Sequence, residues 1–352
     1  MKSIGFISAI FLVGGMSNAL AASFCVSDSA GLQAAFDEAS SNGEDDDIRL
    51  ETGVYTPTGN SFVFSSADLH AVSIGGGYQS PDGLPACSVS LGGAQRTVLD
   101  GVGTKRLLDV NVSGASAAPV LVHDLTFYNA VSISSTAPIT MGGSADWIGS
   151  LTLENISARG NHTDFLVAQV GASGGIFVRN SEFVANISDA ASGVILGLNS
   201  GLAGSGTSIL FNNNSVSGNA VPATSTRAGV AFSSSGPGDV RIANSIFWNN
   251  GGSDIQLATA GPVFLDHDDI GVRTVFGGVV VNETVPYHVD PGFVAVDDLR
   301  LAPASPLRDV GQTTAEGGTG SIDVRGNPRV AFGVIDIGAH EFPDEIFKDG
   351  FD

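Results

Sequence analysis

The strongest constraint on this chain is a phrase it repeats five times. The copies are Val122-His-Asp-Leu-Thr-Phe-Tyr-Asn129, Leu153-Glu-Asn-Ile-Ser-Ala-Arg-Gly-Asn161, Val178-Arg-Asn-Ser-Glu-Phe-Val-Ala-Asn186, Phe211-Asn-Asn-Asn-Ser-Val-Ser-Gly-Asn219 and Ile242-Ala-Asn-Ser-Ile-Phe-Trp-Asn-Asn250. Aligned on Asp124, Asn155, Asn180, Asn213 and Asn244, they follow one another after 31, 25, 33 and 31 residues. Each carries an apolar residue two positions before the aligned one. Three positions after it stands Phe127, Ala158, Phe183, Val216 or Phe247, and a second Asn follows at plus six in four of the five. Self-similarity at a period of roughly 20 to 50 residues marks a repeat architecture, in which each unit buries its apolar face only by stacking on its neighbours.

Within each unit, apolar and polar residues alternate (Ile176 and Val178, Ile209 and Phe211, Val240 and Ile242). That is the periodicity of short strands with one face buried, separated by a polar bend. Asn suits the bend because it tolerates left-handed backbone and hydrogen-bonds its own turn. Stacked coils would align equivalent Asn residues into a ladder whose amides pair between coils. The fold expected is all-β, a right-handed parallel β-helix, with irregular coils and variable loops such as 198–207. Leucine-rich, ankyrin and propeller repeats are excluded by their fixed periods and missing signature residues.

An amphipathic helix is expected over Ser29–Ser41, with Leu32, Ala35, Phe36 and Ala39 at helical spacing, Asp28 or Ser29 as its cap and Gly43 beyond its end. It stands directly before the first strands and reads as the short N-terminal capping helix of the solenoid, whose open ends need covering. Before it, Lys2, the apolar run Ile4–Val13 and Ala19-Leu20-Ala21 spell a secretory signal peptide cleaved between Ala21 and Ala22. No later segment is long and apolar enough to span a membrane. The two cysteines left, Cys25 and Cys87, would then form one disulfide in an oxidising compartment. The organisation expected is a signal peptide over 1–21, N-terminal cap and first coils over 22–100, β-helix repeats over 101–271, C-terminal coils and cap over 272–342, and a terminal sorting-like motif over 343–352.

A net charge of −21 argues against nucleic-acid or anionic-membrane partners, which need basic surface. It fits a soluble protein displayed outside the cell. No cofactor is implied; Ca²⁺ is the one ion such acidic surface would attract.

After Ile270 the repeat fades into Val289-Asp-Pro-Gly-Phe293, Asp298-Leu-Arg-Leu-Ala-Pro-Ala-Ser-Pro-Leu-Arg-Asp-Val-Gly311, Asp323-Val-Arg-Gly-Asn-Pro-Arg329 and Val334-Ile-Asp-Ile-Gly-Ala-His-Glu-Phe342. This segment resembles the C-terminal part of secreted bacterial β-helix proteins of the choice-of-anchor Q type, in which a similar run closes the solenoid. The resemblance covers Asn244 to Phe342; His340 stands where that family more often has Tyr. The last residues, with Ile346, Phe347, Asp349, Gly350 and Phe351, resemble an I-F-x-D-G-F-E-like terminal motif of secreted gammaproteobacterial proteins. That resemblance implies a Gram-negative bacterium and recognition of the C-terminus by secretion or sorting machinery. The alternative is that Phe347 and Phe351 pack on the last coil.

Parallel β-helices of the pectate-lyase kind include enzymes that cleave acidic polysaccharides, through clustered carboxylates with Ca²⁺ and a basic residue, or through converging Asp residues. The densest acidic cluster is Asp266-His267-Asp268-Asp269, where strand alternation would place Asp266 and Asp268 on one side. Without supporting context it reads more simply as a solvated bend. Glu44-Asp-Asp-Asp47 reads as an exposed loop, and His123, His162 and His288 show no ligand spacing. Tyr128, Trp147 and Trp248 are candidate sugar-stacking rings, with Trp248 facing outward beside inward Phe247. The alternative for each is packing beneath a loop.

These features favour a secreted, extracellular or surface-displayed module that binds an extracellular polysaccharide or cell-surface glycan, or serves adhesion, without catalysis. The alternatives are a polysaccharide lyase or glycoside hydrolase acting on acidic glycans through Asp266, Asp268 and Asp269, and a purely structural surface protein.

Overall fold

The computed structural model describes residues 21–343, apart from 135, 163–164, 170, 172, 189–193, 202–205, 207, 221–227 and 331–332. The signal segment, all but its last residue, and the terminal motif with Ile346, Phe347, Asp349, Gly350 and Phe351 lie outside the described residues, as does much of the 198–207 loop.

The parallel β-helix expected from the repeats is the observed architecture. One face is a sheet of eight parallel strands in strict chain order, from Phe62–Ser66 through Leu108–Val112, Ile139–Gly143, Phe165–Gln169, Leu196–Ser200, Ala228–Ser234 and Ser253–Thr259 to Arg273–Val275. The larger sheet wraps the remaining faces. Its strands, such as Gly175–Arg179 and Glu182–Val184, pair in parallel with their equivalents one coil away. The apolar positions of the repeat fill the interior: Phe127, Phe183, Val216 and Phe247 are fully buried, and Phe211 stacks on Phe247 at 5.4 Å between ring centroids.

The aligned polar residues are the bends. Asp124, Asn155, Asn180, Asn213 and Asn244 all have φ between 50° and 56°, the left-handed region that Asn adopts at low cost. A second bend recurs at Asn129, Gly160, Ala185, Gly218 and Asn249. The ladder runs mainly through the residue after each bend, so the main column is the plus-six Asn rather than the aligned one. Backbone N–H groups of Ala130, Asn161 and Asn186 donate to the Oδ1 of Asn161, Asn186 and Asn219, each one coil on, at 2.9–3.0 Å. Their Nδ2 atoms donate back to Phe127, Ala158 and Phe183 carbonyls. A parallel column runs through Ser181, Asn214, Ser245 and Asp268. An amide both donates and accepts, so it can be repeated; a carboxylate only accepts and closes a column. Asp254 ends the first column, taking Asn250 N–H at 2.9 Å, and Asp268 ends the second, taking Ser245 N–H at 2.8 Å.

The helix runs Ser29–Ala39, with Asp28 accepting from Gly31 N–H at 2.7 Å and Leu32, Ala35, Phe36 and Ala39 buried. Gln33 adds what the apolar pattern does not reveal. Its amide accepts from Val63 N–H and donates to Val63 C=O, occupying the outer edge of the first strand of the eight-stranded sheet. The edge is thereby paired. Ala22 begins the strand Ala22–Val26, and Cys25 is bonded to Cys87. The acidic run after the helix is not an exposed loop throughout: Asp46 is buried at the start of the strand Asp46–Glu51.

At the far end, Arg273–Val275 and Val281–Thr284 form the last coil. The chain then makes an antiparallel hairpin, Phe293–Ala295 with Asp298–Leu301. The described residues of 307–341 run along the flank of the coils: over the Asn bends Gln312 meets Asn244 and Thr319 meets Asn180, and further on Val324 meets Ala94.

Candidate functional site

Outward residues of the strands after the Asn bend form two columns along the solenoid axis. One reads Thr126, Ser157, Glu182, Ser215, Ile246; the other reads Tyr128, Arg159, Val184, Ser217, Trp248. The tail covers most of the first. Ile337, Leu301 and Leu307 pack around Ile246, Ala339 N–H donates to Ser215 Oγ at 2.9 Å, and His340 Nε2 meets Glu182 Oε2 at 2.8 Å. At His340 the cover stops. Beyond it lies a cleft of about 660 Å³ with Thr126, Tyr128, Ser157, Arg159 and Glu182 as its floor, bordered by Gln95, Arg325 and His340 and by Ala295, Asp297 and Asp298 of the hairpin.

Glu182 organises this floor. Its Oε1 accepts from Ser157 Oγ at 2.6 Å and pairs with Arg159, and its Oε2 takes His340. Burial alone would raise its pKa, but His340, Arg159 and Ser157 together outweigh burial and hold the carboxyl down to about 2. Asp298 is chelated by Arg300, whose hydrogen bonds lower its pKa as well. Arg159 remains 41% exposed at its side chain and Tyr128 43% exposed, while Arg325 is exposed with no ion-pair partner among the described residues. A planar ring, two guanidiniums, an amide and a free carboxylate are the equipment for stacking on a sugar ring and hydrogen-bonding its hydroxyls.

The three expected rings part company. Tyr128 lies in this cleft. Trp147 is 2% exposed and belongs to the core, its ring against Gly149, so it presents no face to a ligand. Trp248 faces outward, half-buried against the small apolar cluster that contains Ile246, and lines a second cleft of about 480 Å³ with Asn249, Gly251, Gly252 and Gly271.

The acidic cluster is not a solvated bend, nor a converging set. His267 takes the left-handed bend (φ 55°), which interrupts strand alternation and separates the carboxylates. Asp268 is buried, accepting from Ser245 and Asp266 N–H; Asp269 is fully buried and accepts from Val289 N–H; Asp266 pairs with His267 Nδ1 at 2.8 Å. Burial raises the pKa of Asp268 and lifts that of Asp269 to about 6. Asp268 and Asp269 serve the backbone, and Asp266 serves the His267 ring. Among the described residues, the one group of three such side chains whose ligand atoms converge is Cys25, Glu51 and Cys87, and its sulfurs are joined in the disulfide.

Arg159, Glu182, Arg325 and His340 were not legible as a set. One signal existed: where the other phrases carry Thr126, Ser157, Ser215 and Ile246, the third carries Glu182, the single charged residue at that position. No known protein-family description matches the chain, and no characterised protein matches it in sequence.

Proposed function

We propose that this is a secreted or surface-displayed protein that recognises an extracellular polysaccharide through the cleft beside Tyr128 and binds it without cleaving it. The observation that carries this proposal is the exposed Tyr128 ring sharing one cleft with the partly exposed guanidinium of Arg159 and the exposed one of Arg325. Burying one face of such a ring against a sugar is favourable, and guanidinium forks pair with hydroxyls, carboxylates and sulfates alike. Binding is favoured over acid catalysis because Glu182 and Asp298 are both held ionised, so neither supplies a proton near neutrality. Of the aspartates considered for cleavage, Asp268 and Asp269 are buried and engaged by backbone N–H groups, and the partly exposed Asp266 is paired with the His267 ring.

The Cys25–Cys87 bond fits an oxidising compartment. With it go the signal-like N-terminus and the resemblance of the tail to choice-of-anchor Q proteins. Under this proposal the terminal segment Ile346–Asp352 is the address for display. Deleting it is expected to leave glycan binding intact and to abolish surface retention.

The test is co-sedimentation of the chain Ala22–Asp352 with neutral and acidic polysaccharides, while polymer length is followed. Retention on one polysaccharide without shortening is expected, with Tyr128→Ala weakening it roughly tenfold, about 1.4 kcal/mol. Shortening of the polymer, or retention indifferent to both Tyr128→Ala and Arg325→Ala, would sink the proposal.

A further inference from the structure

We infer that one glycan chain occupies both clefts at once, running along the solenoid axis from Tyr128 to Trp248 across the tip of the hairpin at 293–301. The inference rests on the glycan-binding proposal above and adds the direction and length of the ligand.

Tyr128 and Trp248 stand on the same outward column, linked by the parallel register Tyr128, Arg159, Val184, Ser217, Trp248. Four inter-coil steps separate them, about 19 Å at the spacing of adjacent strands. Both rings therefore project from one face at a separation fixed by backbone hydrogen bonding rather than by flexible loops. The straight span is four coil spacings, and because the chain passes over the hairpin tip, an oligomer of at least about five units is needed to reach from one aromatic to the other.

The hairpin lies across the middle of this path. The Val296 carbonyl sits against Gly218, where a Cβ would come within 2.7 Å of it, and Val184 beneath is 1% exposed. Glycine at 218 answers two needs, the positive φ of 66° and this close approach. The hairpin sets its carboxylates, Asp297 and Asp298, at the rim of the first cleft. Its tip presents Val294 and Val296, exposed by 51% and 80%, the latter the most exposed large apolar side chain among the described residues. Apolar side chains left open between two ring-bearing clefts match the apolar faces of pyranose rings passing over them. At the far end, Gly271 has no side chain to cover the Trp248 ring: a Cβ there would meet the ring at 3.3 Å and Asp254 at 2.5 Å. At the near end, Arg159 and Arg325 favour an anionic substituent on the sugar.

The experiment titrates oligosaccharides of increasing length, cut from whichever polysaccharide retains the protein, into the chain Ala22–Asp352. Affinity should climb until the oligomer reaches at least about five units and then level off. Tyr128→Ala should weaken every length. Trp248→Ala should weaken, roughly tenfold, only oligomers long enough to reach it. Because Trp248 also packs on its neighbours, Val296→Asp supplies a second test at an exposed position, and it should show the same restriction to long oligomers. Affinity that saturates at two units overturns the inference while leaving the glycan-binding proposal intact. So does indifference of every length to both Trp248→Ala and Val296→Asp. A failure of all glycans to bind removes both.

Discussion

The coils and the tail that lies along them are built on opposite principles. In the coils, the polar groups that recur are neutral amides that meet their equivalents one coil on, with Asn161, Asn186, Asn219 and Asn250 as interchangeable rungs, and carboxylates stand singly, as Asp254 and Asp268 do at the column ends. In the tail nothing repeats, and the buried polar groups are charged. Arg329 is wholly buried; its Nη2 donates to the Asp336 carbonyl at 2.6 Å and its Nη1 lies 3.6 Å from Glu341. Its Nε and Nη2 also reach the Asn213 side chain at 2.9 and 3.0 Å when that amide presents its oxygen. Asp323 ties the turn at 323–327 and accepts from Glu341 N–H. Amides stack without limit because each rung meets donor with acceptor. Charges cannot, since like neighbours repel, so they occur where one contact must be unique. Repetition builds length, and the charged tail fixes one register along that length.

The sharpest way to break this contrast is Arg329→Met, which leaves Glu341 and Asp336 without their buried cation. Measured above about pH 8, where Glu341 is ionised, removing one partner of a buried pair costs about 3–5 kcal/mol, the largest effect expected here. Equilibrium unfolding measures the loss, and hydrogen exchange locates it: residues 307–341 should lose protection while the coil strands keep theirs. A loss below about 1 kcal/mol would mean that the tail is held mainly by its apolar contacts, Ile337 and Leu307 on Ile246.

Next in size is a missing rung. Asn219→Ala strands Asn186 N–H and the Phe183 carbonyl inside the coil stack, and should cost roughly 2–3 kcal/mol. Here the exchange pattern should invert, with loosening in the coils on either side. Asp254→Asn, at the end of the same column, should cost less, about 1 kcal/mol, because it sets an amide against N–H groups from one side only. Equal losses from the two variants would refute the distinction between rung and terminus.

The same contrast explains how much could be read from the sequence. The coils were legible because a stacked unit must satisfy the same demands every time: an inward residue at plus three, a left-handed bend at the aligned Asn, an acceptor at plus six. Only the assignment of roles slipped, since Asn serves as bend and as rung and one letter cannot show which. The tail was legible as a distinct segment but not as a cover for the flank. His340 and Glu182 lie 158 residues apart, and no local pattern announces that pairing. The clefts were missed for the same reason. Tyr128 was singled out as a ring, yet its partners Arg159 and Arg325 come from a neighbouring coil and from the tail. For Trp147 the alternative of packing is the one observed, and its ring lies against Gly149, where only the absence of a side chain makes room for it.

The smallest effect separates coils from tail by pH. Glu341 is pushed up to about 8, first by burial and further by Asp336, against the pull of Arg329; Asp269 at the end of the coils is lifted to about 6, mainly by burial. A carboxyl whose folded pKa is raised stabilises fully below its unfolded value, near 4, and loses that contribution as pH rises through the folded pKa. Glu182 has the opposite sign: its pKa of about 2 stabilises above the unfolded value and is lost as pH falls from about 4.5 towards 2. Stability should therefore peak on the acidic side, near pH 4 to 5, and decline in two stages, through about pH 6 for Asp269 and about pH 8 for Glu341. Glu341→Gln should lessen the decline between about pH 4.5 and 8, most visibly in its upper part, shifting Tm above pH 7 by on the order of 2–4 °C. Glu182→Gln should remove the acid limb and leave the alkaline one. If Glu341→Gln left the alkaline decline unchanged, the titrating group would lie in the coils, and the tail would owe nothing to the charge it buries.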